Sequence, residues 1–275
     1  MGLIKFFKEK KIKKFRKKHK IGLCLSGGGT RGFSYIGVFK ALEENGIKFD
    51  AVAGTSIGSL FGAMYASGMT ADEMKKWAMA AKESDFRKAK LGFLPSKMDN
   101  LAEKINQIMP NKKIEDLLIP YYAVAVDVRT GEEKHFDSGD LAPIITGSCA
   151  IPGVFCPVKY KNMVLVDGGV SNNIPADVLR INGCDIVITI DCNCTRGGGT
   201  NSNSLVNQFF TSVGIMMANN SKKGIKLSDL IICPDLKRFN SLKLKGREEM
   251  IAEGYRVTIE KIDEIKKLFF GEIKI

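Results

Sequence analysis

Histidine is almost missing from this 275-residue chain, which has only His19 and His135. His19 lies in a basic run and His135 among charged neighbours, so both read as surface residues. The shortage removes the usual base for a serine nucleophile and the usual ligand of Cys/His zinc sites. No two of the seven cysteines have C-x-x-C spacing, and their number is odd. A secreted disulfide framework is therefore not expected, and most cysteines should act as small core residues in a reducing compartment. Nothing in the residues calls for a metal or a cofactor.

Long apolar runs are missing as well. Residues 51–70 carry no charge, but they include four glycines and five serines or threonines, which makes a poor membrane span. The basic start is not followed by an apolar h-region, so no secretory signal is expected. There is no G-x-x-x-x-G-K-[ST] phosphate loop.

Acidic residues are scarce in one place only. Lys and Arg number 42 against 30 Asp and Glu, a net charge of +12. Residues 1–20 hold ten basic residues and one acid, Glu9, or +9; the remaining 255 residues are nearly balanced at +3. A basic groove for nucleic acid within the fold is not expected. The segment 1–20 also carries Leu3, Ile4, Phe6, Phe7, Ile12 and Phe15. It reads as a reversible anchor to an anionic membrane surface, and residues 21–275 as one domain. The expected location is the cytoplasm, peripheral on the inner face of the membrane.

The pattern along the chain alternates strand and helix. Strands are expected at residues 21–25, 51–53, 121–128, 163–166, 186–191 and 230–233. Helices are expected at 33–44, 57–66, 97–109, 141–150, 205–218 and 246–270, and from the capping box Thr70–Glu73 to about Lys82. Residues 84–96 read as a loop. Thr130-Gly131 predicts a hairpin returning through Lys134–Phe136 at a sheet edge. The order argues for an α/β fold with a mainly parallel sheet and helices on its faces.

Three motifs carry chemistry. Gly54-Thr55-Ser56-Ile57-Gly58 is a G-x-S-x-G sequence between a strand and a helix, where a tight turn makes a serine a nucleophile. Without histidine, a buried carboxylate would take its proton. Asp167 follows the apolar strand 163–166 and precedes Gly168-Gly169, which allow close approach; Asp191 and Asp127 are rival strand-end acids. Gly27-Gly28-Gly29-Thr30-Arg31-Gly32 matches G-x-G-x-x-G. As a dinucleotide fingerprint it would need an acid ending the second strand, but Asp50 precedes that strand. As an oxyanion loop, its backbone N–H groups would converge on a developing negative charge. Arg31 would hold the loop or lend positive potential. Each motif also has a plain structural reading, as a close-packing turn or a capping aspartate.

Together these elements resemble the patatin-like phospholipase family. The matching residues are Gly27–Gly32, Gly54–Gly58 and Asp167-Gly168-Gly169, with Ser148-Cys149-Ala150-Ile151-Pro152-Gly153-Val154-Phe155 similar to a further family block. The resemblance runs from about Ile21 to Asp191. It implies a three-layer α/β/α sandwich and a serine lipid acyl hydrolase cleaving fatty-acyl esters of phospholipids. Ser56 would be the nucleophile, Asp167 the base, and Gly27, Gly28, Gly29 and Arg31 the oxyanion site, with no metal. Emptying the same acyl-enzyme with an alcohol or thiol would make an acyltransferase; a non-catalytic lipid-binding module is the reading from another class. Phe93-Leu94-Pro95, Phe209-Phe210 and Ile215-Met216-Met217 are candidates to line or cover an acyl channel.

Overall fold

The computed structural model describes residues 19–86, 95–109, 112–194 and 204–270. The basic segment 1–18 lies outside them, as do Phe93 and Leu94. Its strands are β1 (Ile21–Leu25), β2 (Ala51–Thr55), β3 (Tyr121–Asp127), β4 (Glu132–Phe136), β5 (Val158–Tyr160), β6 (Met163–Asp167), β7 (Ile186–Ile190) and β8 (Leu230–Ile232). They form one sheet in the order β5-β6-β3-β2-β1-β7-β8, with β4 paired to β3 off that path. The run β3-β2-β1-β7-β8 is parallel, while β4, β5 and β6 are antiparallel additions.

Alternation along the strands sets the layers. Leu23, Leu25, Val52, Ala123, Ile188 and Ile190 pack into one apolar core, and Cys24, Ala51, Ala53, Val124 and Val187 into a second on the opposite face. Successive side chains of a strand point to opposite faces, so strands buried on both sides read as continuous apolar runs. The first core is covered by α1 (Ser34–Glu44), α2 (Ile57–Ala66), α3 (Ala71–Ala80), the short α4 (Glu83–Phe86), α5 (Asp99–Ile108) and α6 (Leu141–Ser148). The second lies under α7 (Ala176–Ile181) and the end of α8 (Leu205–Lys226). Helices α9 (Arg247–Glu260) and α10 (Ile262–Phe270) complete the first layer. The fold is the expected three-layer α/β/α arrangement with a mainly parallel sheet.

The capping box forms as expected: the Thr70 N–H donates to Glu73 Oε2 at 2.8 Å and the Glu73 N–H to Thr70 Oγ1 at 3.3 Å. The hairpin also forms, with β4 antiparallel to β3. Several expectations change. The helix expected from Phe33 begins as a 3-10 turn, Gly29–Phe33, and becomes α-helical at Ser34. The region read as a loop contains α4. Strand β5 was not anticipated, because three residues are too few to show a period. The single terminal helix is two, divided at Lys261; the second segment sets Phe269 against Phe49, ring centroids 5.1 Å apart. Cys194 and Cys233 form a disulfide, contrary to the cysteine reading. Cys233 directly follows β8 and Cys194 lies four residues beyond the end of β7, and the pairing of Ile190 with Ile232 brings them together. Of the five free cysteines, four are buried as expected.

Helices α1 and α9 meet backbone to backbone. A Cβ on Gly37 would lie 1.9 Å from the Ile251 carbonyl oxygen, and one on Gly254 would lie 2.0 Å from that of Ser34. Neither obstacle is a flexible side chain, so the helices must separate to admit a methyl group. Gly37→Ala and Gly254→Ala are each expected to destabilise the protein by about 1–3 kcal/mol, the usual cost of overpacking. Urea unfolding of each variant measures this.

Candidate active site

All the sequence-flagged loops leave the sheet at one end. The glycine loop follows β1, Ser56 follows β2, and Asp191 follows β7. Asp167 arrives by another route, since β6 runs antiparallel to β3. Thr55 is level with Val124 and Asp167 with Ala125, so Ser56 and Asp167 reach the same height on either side of β3. The strand-end position read from sequence is therefore right, although the strand runs against its neighbour.

Ser56 is held at φ 56° and ψ −127°, outside the regions favoured by L-residues. Such a residue costs of order 1–3 kcal/mol and persists only where its surroundings fix it. Here crowding does so. A Cβ on Gly54 would lie 2.2 Å from the Gly58 oxygen, and one on Gly58 2.4 Å from the Leu25 oxygen. Hydrogen bonds add to this. The Ser56 N–H donates to Ser148 Oγ at 2.9 Å, Ser148 donates to the Val124 oxygen at 2.6 Å, and Ser59 Oγ donates to the Ser56 oxygen at 2.6 Å. Ser148 lay in a recognised block, but only the structure gives it this contact.

Ser56 Oγ donates to Asp167 Oδ2 at 2.6 Å. Both side chains are buried, at 3% and 1% exposure. The Gly169 N–H donates to Asp167 Oδ1 at 2.8 Å. Gly168 lies against β3, where a Cβ would approach the Val124 oxygen to 2.3 Å. Burial pushes the Asp167 carboxyl up to about 6, although its hydrogen bonds to Ser56 and Gly169 act in the opposite direction. Neither rival accepts the Ser56 hydroxyl, which goes to Asp167. The Asp127 carboxylate accepts from the Val164 and Arg129 N–H groups, which hold it below its ordinary range. Asp191 is buried, raised by desolvation, and accepts from the Asn193 N–H. Neither histidine lines the cavities at Ser56, and His135 pairs with Glu133 on β4.

The glycine loop differs from expectation in two residues. The Gly27 N–H is already engaged, donating to the Asn173 oxygen at 3.1 Å. The Gly28 and Gly29 N–H groups make no hydrogen bond among the described residues, leaving them free for an oxyanion. Arg31, 8% exposed, is a brace. Its Nε and Nη2 donate to the Phe239 oxygen at 3.1 and 3.0 Å, and Nη1 to Asn193 Oδ1 at 3.2 Å. Thr30 joins the same clamp through its N–H to the Ser241 oxygen at 2.9 Å and its hydroxyl to the Asn240 oxygen at 2.9 Å. Gly32 packs against Ile57. Residues 239–241 showed no sequence motif, yet they fix the loop.

Two cavities meet at Ser56. One, of about 80 Å³, is lined by Phe33, Ile57, Leu60, Met98, Leu101 and Val154. The other, of about 510 Å³, is more polar, with Gly28, Asn173, Asp191, Asn193 and Ser221 on its walls. Of the candidate lining residues, Ile215 and Met217 line the polar cavity, while Phe209 and Met216 are exposed and line neither cavity. The Phe210 side chain lies outside the described residues. No described helix is long and apolar enough to cross a membrane.

A serine on a strand–helix elbow, bonded to a buried aspartate over a parallel sheet, defines a class of α/β proteins whose nucleophile candidate has no histidine beside it. The Patatin-like phospholipase family model matches residues 23–180, and the chain belongs to that family. It is 37% identical over 185 residues to mouse patatin-like phospholipase domain-containing protein 6, covering 62% of this chain and 13% of that protein. It is 32% identical over 186 residues to an uncharacterized NTE family protein of Mycobacterium tuberculosis, covering 65% of this chain and 51% of that one. Among solved structures it is similar in fold to VipD from Legionella pneumophila, with a TM-score of 0.61, 16% identity, and coverage of 90% of this chain and 67% of that chain.

The buried carboxylate has a measurable thermodynamic sign. Its folded value, about 6, lies above the ordinary aspartate value of 3.8. Below both values the group is protonated in folded and unfolded chains alike and contributes no difference. As pH rises between them, the unfolded state loses its proton first and stability falls. Above about 6 the ionised group costs the fold ~3 kcal/mol. Asp167→Asn is thus expected to be more stable than the unsubstituted protein at pH 8, with the gap closing by about pH 4. Urea unfolding across that range measures it.

Proposed function

We propose that this protein hydrolyses fatty-acyl esters of phospholipids through a Ser56–Asp167 dyad. The observation that carries this reading is the 2.6 Å hydrogen bond from Ser56 Oγ to Asp167 Oδ2 at the junction of an apolar and a polar cavity. The acyl chain enters the apolar cavity, and the glycerophosphate part occupies the polar one. Ser56 Oγ attacks the ester carbon while Asp167 takes its proton. The carbonyl oxygen becomes negative beside the free N–H groups of Gly28 and Gly29, at the N-terminal end of α2. Collapse expels the alcohol, which receives the proton held by Asp167. Water then releases the fatty acid by the same steps in reverse order.

Ser56→Ala and Asp167→Asn should each lower hydrolysis of a p-nitrophenyl ester and of phospholipid vesicles by at least ~10³-fold, with circular dichroism unchanged. In the unsubstituted protein kcat should rise with pH through about 6, as Asp167 ionises, and then level off. Full activity in either variant removes the dyad.

The partner surface in this reading is an anionic membrane, reached through the basic segment within residues 1–20. Lys20 already belongs to the fold, since its carbonyl accepts from the Asp185 and Ile186 N–H groups. Truncation should therefore stop at residue 18. Removing residues 1–18 is expected to weaken binding to phosphatidylglycerol vesicles, with the difference shrinking as salt rises, and to spare hydrolysis of a soluble ester. Vesicle sedimentation across a salt series measures it, and unchanged binding removes the anchor.

A further inference from the structure

Helix α8 is longer than the strands it covers. Its 22 residues span about 33 Å, against ~17 Å for the five of β7. It ends beside α7, where Gly224 packs against Ile174 and the Leu227 oxygen accepts from Arg180 Nε at 3.1 Å. Further up, Ser221 meets Asn173, and Met217 packs against Gly169. The turns before Met217 therefore project past the sheet on the side where Ser56 lies. No residue from Ser204 to Ser221 is charged, whereas an exposed helix ordinarily carries charge on its outer face. Phe209, Ile215 and Met216 are exposed there instead, at 50%, 46% and 56%. Asn220 Nδ2 donates to the oxygen of Val170, whose side chain is also exposed. With Leu242, these make five of the eleven exposed large apolar side chains among the described residues. Ile215 and Leu242 line the polar cavity that reaches Ser56.

Positive charge gathers at the same end. Residues 237–247 hold five basic residues and no acid, while the rest of residues 21–275 holds 27 basic and 29 acidic residues. The positive surplus of the domain thus falls in this one segment. It follows β8, which runs parallel to β7, so it leaves the sheet at the Ser56 end. Arg247 turns inward, its Nη1 donating to the Ala78 and Ala81 oxygens at 2.6 and 2.8 Å. Lys237, Arg238, Lys243 and Lys245 are exposed. In Leu242-Lys243-Leu244-Lys245 the leucines line the apolar cavity and the lysines face outward.

We propose that this end of the molecule sits on the anionic bilayer that holds its substrate. This rests on the reading of Ser56 as attacking a lipid ester, and it names the face through which that lipid arrives. Phe209, Ile215, Met216 and Leu242 enter the acyl layer, which costs little because no charge accompanies them. The lysines and Arg238 keep their heads among the lipid phosphates while their stems lie along apolar surface. A phospholipid then passes between Ile215 and Leu242 to reach Ser56. The basic segment 1–18 is a tether in this arrangement, and the face at α8 sets the orientation.

Fluorescence reads the insertion without catalysis. Met216→Trp and Leu242→Trp are each made in the full chain carrying Ser56→Ala, with Ile181→Trp as control. Ile181 is exposed at the opposite end of the sheet, where the neighbouring Asn182 oxygen accepts from Lys20 Nζ. On phosphatidylglycerol vesicles with brominated acyl chains, emission from residues 216 and 242 should shift to the blue and be quenched, and that from residue 181 should not. With Ser56 intact, Met216→Glu combined with Lys243→Glu should lower the ratio of vesicle hydrolysis to soluble-ester hydrolysis at least ~10-fold. Absence of quenching at residues 216 and 242, equal quenching at residue 181, or an unchanged ratio overturns the proposal. Ester cleavage without insertion refutes this face alone. Insertion by a protein that cleaves no ester supports the face and refutes the hydrolase reading.

Discussion

Helix α2 can leave strand β2 as it does only because Gly58 rests on the carbonyl oxygens of Leu25 and Ser26. That contact puts the first turn of α2 directly over the end of β1. It leaves no room for a relaxed turn, so Ser56 takes a positive φ. The same proximity places Ser56 beside the glycine loop, which begins one residue after the Ser26 oxygen. The nucleophile candidate and the free N–H groups of Gly28 and Gly29 are thus placed by one backbone contact. Most of the remaining loop contacts act to hold that arrangement in place.

The second constraint is electrostatic. Asp167 is almost fully buried, and among the described residues only two hydrogen bonds reward its charge. A more exposed carboxylate would ionise more readily and bind a proton less well, making it a poorer base. Its elevated value lies near the working range of a base without histidine. In the proposed mechanism, removing solvent from an aspartate does what imidazole chemistry does in other serine enzymes. Strand β3 alone lies between β2 and β6, and its Ala125, paired with Asp167, is fully buried.

The local motifs were legible in the sequence because crowding leaves a local signature. Gly54, Gly58 and Gly168 are glycines for steric reasons that act within a few residues or across one strand pair, and the apolar runs reported a sheet buried on both faces. What stayed hidden depends on partners distant in the chain. Nothing near Gly27 says that its N–H will be taken by Asn173, or near Arg31 that its guanidinium will turn to Phe239 and Asn193 rather than to a substrate. Ser148 appeared in a recognisable block, but its bond to the Ser56 N–H depends on a separation of 92 residues. Strand β5 and the break at Lys261 are too short to disturb a hydrophobic period. The Cys194–Cys233 pair follows from adjacency of β7 and β8, which cysteine spacing does not encode.

The clamp on the glycine loop has a consequence in time as well as in space. Thr30 and Arg31 are made about 210 residues before Phe239 and Asn240, with Ser241 next after them. A nascent chain can assemble the serine elbow and the aspartate well before the oxyanion loop has anything to lean on. The glycine loop is therefore held in place only after the segment 239–241 has been made.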